Sequence, residues 1–284
     1  MKRYLPLSAL LLSMLLFAAA CKKTKTETAT NQANANAAAS ATPDVAKMVE
    51  PMIEHDQQAV REHPDKPENY YNLANGYYTA GKYREAAEQY QQAIRLDKNR
   101  EDAASRYELG QSYLRLNRYD DAIAAFKDSL KINPKNADAY RELGDAYAKK
   151  NLLKEAVGAY EKAVAVKPDL AEAHFSLGLA YSDLNQVEQS AKAFKEAARL
   201  NPKDADAFYN LGNSYSRLKQ FNEAINAYQQ AATLKPDNAE AHLRLVVLHL
   251  ERGSRDAALA EYKTLKGLNP QMAAELNQKL NLGQ

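Results

Sequence analysis

The stretch Asp204–Asn238, DADAFYNLGNSYSRLKQFNEAINAYQQAATLKPDN, decides the fold. Phe208, Leu211, Tyr215 and Leu218 recur in it at helical spacing and trace one apolar stripe, while Phe221, Ala224, Ile225, Tyr228, Ala231 and Ala232 trace a second. Between two such stripes a helix has to end in a left-handed residue, a conformation that glycine and asparagine tolerate best. Gly81, Gly253, Asn117, Asn151 and Asn185 stand at that point in related stretches, but Lys219 stands there in this one, so its turn is expected to close differently. Pro236 ends the second stripe because proline lacks an amide and clashes with the preceding helical turn, and Pro134, Pro168, Pro202 and Pro270 do the same elsewhere.

The stretch is one of six copies. Leu109, Leu143, Leu177, Leu211 and Leu245 lie 34 residues apart. Each is followed four residues later by Tyr113, Tyr147, Tyr181, Tyr215 or His249, and thirteen later by Ala122, Ala156, Ser190, Ala224 or Ala258. Phe126, Tyr160, Phe194, Tyr228 and Tyr262 complete the pattern, and an earlier copy carries Leu73, Tyr77, Ala86 and Tyr90. In that earlier copy Lys98 replaces the stop proline and two extra residues follow. A period of 34 residues built from two helical patterns resembles the tetratricopeptide repeat. The resemblance implies an all-α fold, an α-α superhelix or TPR solenoid of six repeats. One helix pair cannot hide both stripes from water, so neighbours stack and the ends need caps. The expected units are 67–100, 103–136, 137–170, 171–204, 205–238 and 239–272, which together make a solenoid over 67–272. Residues 44–66 read as an N-terminal half repeat, in which Pro51 should start or kink the helix, and 273–284 as a C-terminal cap helix bearing Leu276 and Leu280. Gly110, Gly144, Gly178 and Gly212, beside the repeat leucines, should let two helices approach closely.

The beginning of the chain has another character. Residues 1–20 combine Lys2 and Arg3, an apolar centre from Leu5 to Phe17 and small residues before a cysteine, which is the composition of a bacterial export signal. Cys21 is the single cysteine, and with Ala18, Ala19 and Ala20 before it the site resembles the lipobox of bacterial lipoproteins. That resemblance implies cleavage before Cys21 and fatty acylation of its sulfur, palmitate-type chains giving stable membrane anchoring. Lys22 stands where, in that family, an aspartate would hold the protein in the inner membrane, so the expected location is the outer membrane, facing the periplasm. Residues 21–43 are polar, small and poor in anything to bury, and read as a disordered tether behind the lipid anchor.

Neither composition nor motifs point to catalysis. The chain has 38 basic and 36 acidic residues, and loss of the signal leaves the two balanced, so the basic stripe that nucleic acid requires is missing. His174 and His242 occupy the slot held by Tyr70, Tyr140 and Phe208 in other copies and read as packing residues. There is no zinc-binding histidine pair, no glycine-rich phosphate loop and no serine elbow. The reading is therefore no enzyme, no metal and no cofactor.

Function then rests on the surface of the stack. In the resembled family, the first helices of the pairs line a concave groove that binds extended peptides or helix segments of other proteins. Carried onto this sequence, the groove residues are Tyr71, Asn72, Asn75, Tyr107, Gln111, Arg115, Arg141, Asp145, Phe175, Tyr209, Asn210, Asn213 and Arg217. The fifth position of each copy gives a mostly aromatic row that can anchor a peptide, and the amides can hydrogen-bond its backbone. The Lys-Asn-Asn-Lys-Arg set with which chaperone-binding members grasp a terminal carboxylate is replaced by Tyr71, Asn75, Glu108, Asp138 and Glu142. In the sixth copy Val246, Leu248 and Leu265 replace small residues, and Leu243, Val247 and Leu250 make the groove face apolar. This surface is expected either to dock or self-associate, or to be covered by the chain's own C-terminal helix. The arrangement resembles outer-membrane lipoproteins with such repeats, including pilotins and adaptors of cell-wall hydrolases. It implies an envelope scaffold for other proteins, with a self-assembling structural component as the alternative.

Overall fold

The computed structural model describes residues 43–99 and 101–280; the signal segment, Cys21 and the tether up to residue 42 lie outside the described residues. The described elements are all helices: α1 (Pro43–Glu62), α2 (Pro67–Thr79), α3 (Tyr83–Leu96), α4 (Ala103–Arg115), α5 (Tyr119–Ile132), α6 (Ala137–Lys149), α7 (Leu153–Val166), α8 (Ala171–Asp183), α9 (Val187–Leu200), α10 (Ala205–Arg217), α11 (Phe221–Leu234), α12 (Ala239–Glu251), α13 (Arg255–Leu268) and α14 (Pro270–Leu280). From α2 to α13 they form consecutive hairpins of the tetratricopeptide solenoid type. Two compact units divide the chain, residues 1–135 and 136–284.

The same local chemistry builds the hairpins in both units. First helices start on a side-chain cap where the sequence supplies one: Asp102 accepts from the Ser105 amide, Asn136 from Ala139, Asp204 from Asp206 and Ala207, and Asn238 from Ala241. Second helices have no such cap. The preceding turn serves instead, through a left-handed residue and an amide that reaches back to the first helix, as from Arg118 to the Tyr113 carbonyl at 2.8 Å. Asn117, Asn151, Asn185, Gly81 and Gly253 all adopt positive φ as the pattern required. The turn at Lys219 does not close differently: its φ is 59°, and Gln220 donates to the Tyr215 carbonyl at 2.9 Å. The hydrogen bonds of the turn outweigh the modest steric cost of a left-handed lysine.

Within the four middle hairpins the second-helix aromatic lies on the first-helix glycine. A Cβ added at Gly144 would sit 2.5 Å from the Tyr160 ring, and one at Gly212 would sit 2.8 Å from Tyr228. The same closeness holds for Gly110 on Phe126 and Gly178 on Phe194. These rings are among the largest buried side chains, and Tyr228 also packs against Ala241 and Leu245 of the next copy. Helix pairs are thus locked internally and to their neighbours by the same residue.

In the first unit α1 stays helical through Pro51. Its Val49 and Ile53 form a small core with Leu73, and Ile53 lies over Gly76, 3.0 Å from where a Cβ would stand. The two extra residues of the first copy lie in the connection Asp97–Asp102, where the Asp97 carboxylate accepts from the Asp102 amide at 3.0 Å and from Arg106 at 3.2 Å. In the second unit α14 packs on α13 through Ala273 and Leu276, both buried.

Candidate functional site

The predicted groove residues fall into two sets, one on each unit. In the first unit the Tyr71 ring packs on Tyr90 with centroids 5.8 Å apart, and the Tyr107 ring packs on Phe126 at the same separation. Asn72 is exposed. The Asn75 side-chain oxygen accepts from the Tyr90 hydroxyl at 2.5 Å, and Gln111 donates to the Tyr107 hydroxyl at 2.7 Å. Arg115 donates to Tyr78 of the preceding copy at 3.4 Å.

In the second unit Arg141 is surrounded by acids. It donates to Asp145 at 2.8 Å and to Glu142 at 2.7 Å, with Glu172 at 3.7 Å. Asp145 also accepts from the Tyr160 hydroxyl at 2.6 Å. Burial raises the Asp145 carboxyl above the usual carboxylate range, against the pull of Tyr160 and Arg141, although 32% of its side chain still reaches solvent. Burial and the Asp145 charge both push the Tyr160 phenol upward. Phe175 lies on Phe194 at 5.5 Å, and next to it on α8 Leu179 is 40% exposed.

Tyr209 was expected in a partly exposed row, but it is 8% exposed. Its ring packs on Tyr228 at 5.6 Å and its hydroxyl donates to Glu240 at 3.1 Å. Asn210 donates to the Asp206 carbonyl one turn back at 2.9 Å. The Asn213 oxygen accepts from the Tyr228 hydroxyl at 2.8 Å. Arg217 laces its copy to the one before, donating to Ser182 at 3.0 Å and Asn185 at 2.5 Å.

Two features escaped the sequence reading. The first is a latch fifteen residues long: Tyr90 to Asn75, Tyr160 to Asp145 and Tyr228 to Asn213. Its signal was legible in the first five copies, where the two with Phe126 and Phe194 carry Gln111 and Leu179 at the partner position; the sixth pairs Tyr262 with Val247. The second is Arg244 on α12, a half-buried residue whose Nε has neither solvent nor a hydrogen-bond partner. Nothing in its spacing marked it out from other groove positions.

The histidines do more than pack. His174 bonds the Pro168 carbonyl at 2.9 Å, as Tyr70 bonds Pro64 at 3.1 Å, so this slot ties a first helix to the loop before it. His242 bonds the Pro236 carbonyl at 3.1 Å and Glu261 at 2.6 Å. Among the described residues no three His, Cys, Asp or Glu side chains are placed to share a metal ion. No described helix is long and apolar enough to cross a membrane. In the sixth copy Val246, Leu248 and Leu265 are buried, so these three residues belong to the interior and offer no exposed docking surface.

Repeated helix hairpins with an aromatic-and-amide face define an interaction module. Tetratricopeptide repeat profiles match residues 71–137, 107–171 and 205–238, and a further TPR repeat profile matches 180–219. The chain belongs to the tetratricopeptide repeat family, whose members are typically non-enzymatic modules of protein–protein interaction. No curated protein matched it. Among solved structures it is similar to YrrB, described as a TPR protein with an unusual peptide-binding site, at 25% identity and a TM-score of 0.59, covering 70% of this chain and 99% of that one. MamA from Desulfovibrio magneticus is similar at 27% identity and a TM-score of 0.56, covering 61% and 97%. Pseudomonas aeruginosa pilF shares the fold at 19% identity and a TM-score of 0.60, covering 75% and 97%.

Proposed function

We propose that the chain is a lipid-anchored adaptor of the bacterial envelope, holding partner proteins by gripping peptide segments on the first-helix faces of its repeats. The observation that carries this reading is the face formed by α8 and α10 in the second unit. There an exposed Leu179 and a half-buried Phe175 on the first helix of the fourth repeat are followed by polar Asn210 and Asn213 on the first helix of the fifth, which suits an extended segment bearing both apolar and polar groups. The described peptide-binding site of YrrB supports a similar use of this fold. Acylation of Cys21 would keep that face near the membrane, most naturally the outer membrane as seen from the periplasm.

A photocrosslinker at Leu179 tests the groove directly in intact cells. Capture of a foreign polypeptide, lost when Phe175→Ala is added, is the expected result; capture of the same chain would favour self-assembly. Intact-mass measurement of the membrane-extracted protein tests the anchor. Cleavage before Cys21 with added acyl mass is expected, and an unmodified Cys21 or an intact signal would overturn that half of the proposal.

A further inference from the structure

We infer that copies of this chain associate head to tail, α14 of one copy filling the place of the first helix that α1 of the next copy lacks. This goes beyond the groove reading and does not depend on it.

α1 is a second helix without its first. Gln57 donates to the Tyr77 hydroxyl of α2 at 2.9 Å, as Gln91 of α3 donates to Tyr113 of α4 at 2.6 Å, and this fixes the register of α1 in the repeat. Met52 then stands where complete copies have Ala86, Ala122, Ala156, Ser190, Ala224 or Ala258, every one fully buried. In α1 that position is 59% exposed, and Met48, one turn earlier, is 76% exposed. Two large apolar side chains bared on one edge mark an unfinished interface. The upstream residues of the same chain cannot enter the slot through the usual turn of the repeat, because α1 is helical through 46–48, the positions that make the turn at 80–82.

α14 is the converse, a first helix whose second-helix side is open among the described residues. Its cap is that of a first helix: Asn269 accepts from the Met272 amide at 3.0 Å as Asn238 accepts from Ala241 at 3.1 Å. Counted from that cap, the buried Leu276 takes the place of Leu245, and Asn277 falls at the glycine position. Ala274 and Gln278 fall at the positions of Tyr209 and Asn213, which in the fifth copy meet the second-helix ring of Tyr228. In α14 both are exposed.

The two open faces complement each other. Complete hairpins set a ring at the Asp56 position on a glycine at the Asn277 position. Volume that α1 lacks at Asp56 and α14 lacks at Ala274 is returned by Met52 and Asn277, and the Asn277 amide can donate to the Asp56 carboxylate. Charge agrees in sign: α1 holds five carboxylates against two basic residues, whereas α13 and α14 together hold four basic residues against three carboxylates. Each face also borders packing already in place, α1 on α2 through Val49, Ile53 and Leu73, and α14 on α13 through Ala273 and Leu276. The association is heterologous, so copies add end to end or close a ring.

Sedimentation equilibrium of the full chain, extracted from the membrane into density-matched detergent, reads this directly. The average mass should rise with concentration and fall back as salt is raised. Met52→Glu on the α1 face and Ala274→Glu on the α14 face should each weaken association at least about tenfold. Both positions are exposed, so the fold tolerates the change, with circular dichroism as the check. An equal mixture of the two variants should form dimers and nothing larger, since each keeps one intact face. A single-chain mass at every concentration, association indifferent to both variants, or association that Met52→Glu abolishes and Ala274→Glu leaves intact would overturn the head-to-tail arrangement. Capture of a foreign chain at Leu179 in either variant would leave the groove reading standing.

Discussion

The third and fifth repeats have one architecture but a charged latch in one and a neutral latch in the other. Both set a buried tyrosine on a first-helix glycine, and both tie its hydroxyl to a polar residue fifteen positions earlier. In the third, that residue is Asp145, and with Glu142 it takes the two terminal nitrogens of Arg141 within the helix. In the fifth, it is Asn213, whose remaining donor is unpaired, as is Arg244 Nε on the next first helix. The scaffold is thus indifferent to whether its latch is charged or neutral, and that one atom decides whether an arginine of the same helix finds a carboxylate there.

The comparison can be broken most severely at the glycines. Gly144→Ala and Gly212→Ala each drive a methyl into a locked ring, at 2.5 Å and 2.8 Å. Overpacking of this kind should cost about 1–3 kcal/mol in urea unfolding, with Gly144→Ala the worse. Equal, negligible costs would show that the rings can move aside.

Removing one hydroxyl sharpens the contrast. Tyr160→Phe deprives a carboxylate of its donor and should cost about 1.5–3 kcal/mol, whereas Tyr228→Phe deprives a neutral amide and should cost about 0.5–1.5 kcal/mol. The reverse order would mean that Arg141 alone carries Asp145.

Acidity separates the two repeats as well. Because burial raises the Asp145 carboxyl in the folded chain, the folded state holds that proton more tightly than the unfolded one. Its ionised form therefore weighs against folding, fully so above the folded pKa and not at all below the ordinary carboxylate value of about 3.9. Urea midpoints of Asp145→Asn should accordingly gain on the wild type as pH rises through that interval, by a small amount because solvent reaches the group. A pH-independent difference would place the carboxyl at its ordinary value.

The smallest effect lies in the turns. Lys219 holds φ 59° where the third repeat has Asn151 at 59°. Lys219→Asn should stabilise by about 0.5 kcal/mol in thermal unfolding, since asparagine tolerates the left-handed region better. A destabilised variant would reveal a role for the lysine beyond the turn.

Much of this was legible in the residues. The hairpins, their left-handed turns, the proline stops and the closeness at Gly110, Gly144, Gly178 and Gly212 follow from spacing, because each is a local backbone or volume requirement. Lys219 misled because a turn can impose its geometry on an unsuitable residue when its hydrogen bonds are worth more. The groove was read less well. Tyr209 was taken as exposed because its position in the repeat says which way a side chain leaves the helix, not whether a second ring covers it. Arg115, Arg141 and Arg217 were read as facing a ligand, and they bond to neighbouring protein groups.

By itself, then, the sequence determined the repeat, its period and the placement of small and aromatic residues, since these are set by helical geometry within a few turns of chain. Which polar atoms of the face are spent on the protein and which are left over was decided by the tertiary structure. That outcome depends on where three helices bring Tyr228, Asn213 and Arg244 together, and hydrogen-bond satisfaction is a property of positions in space that no single helix encodes.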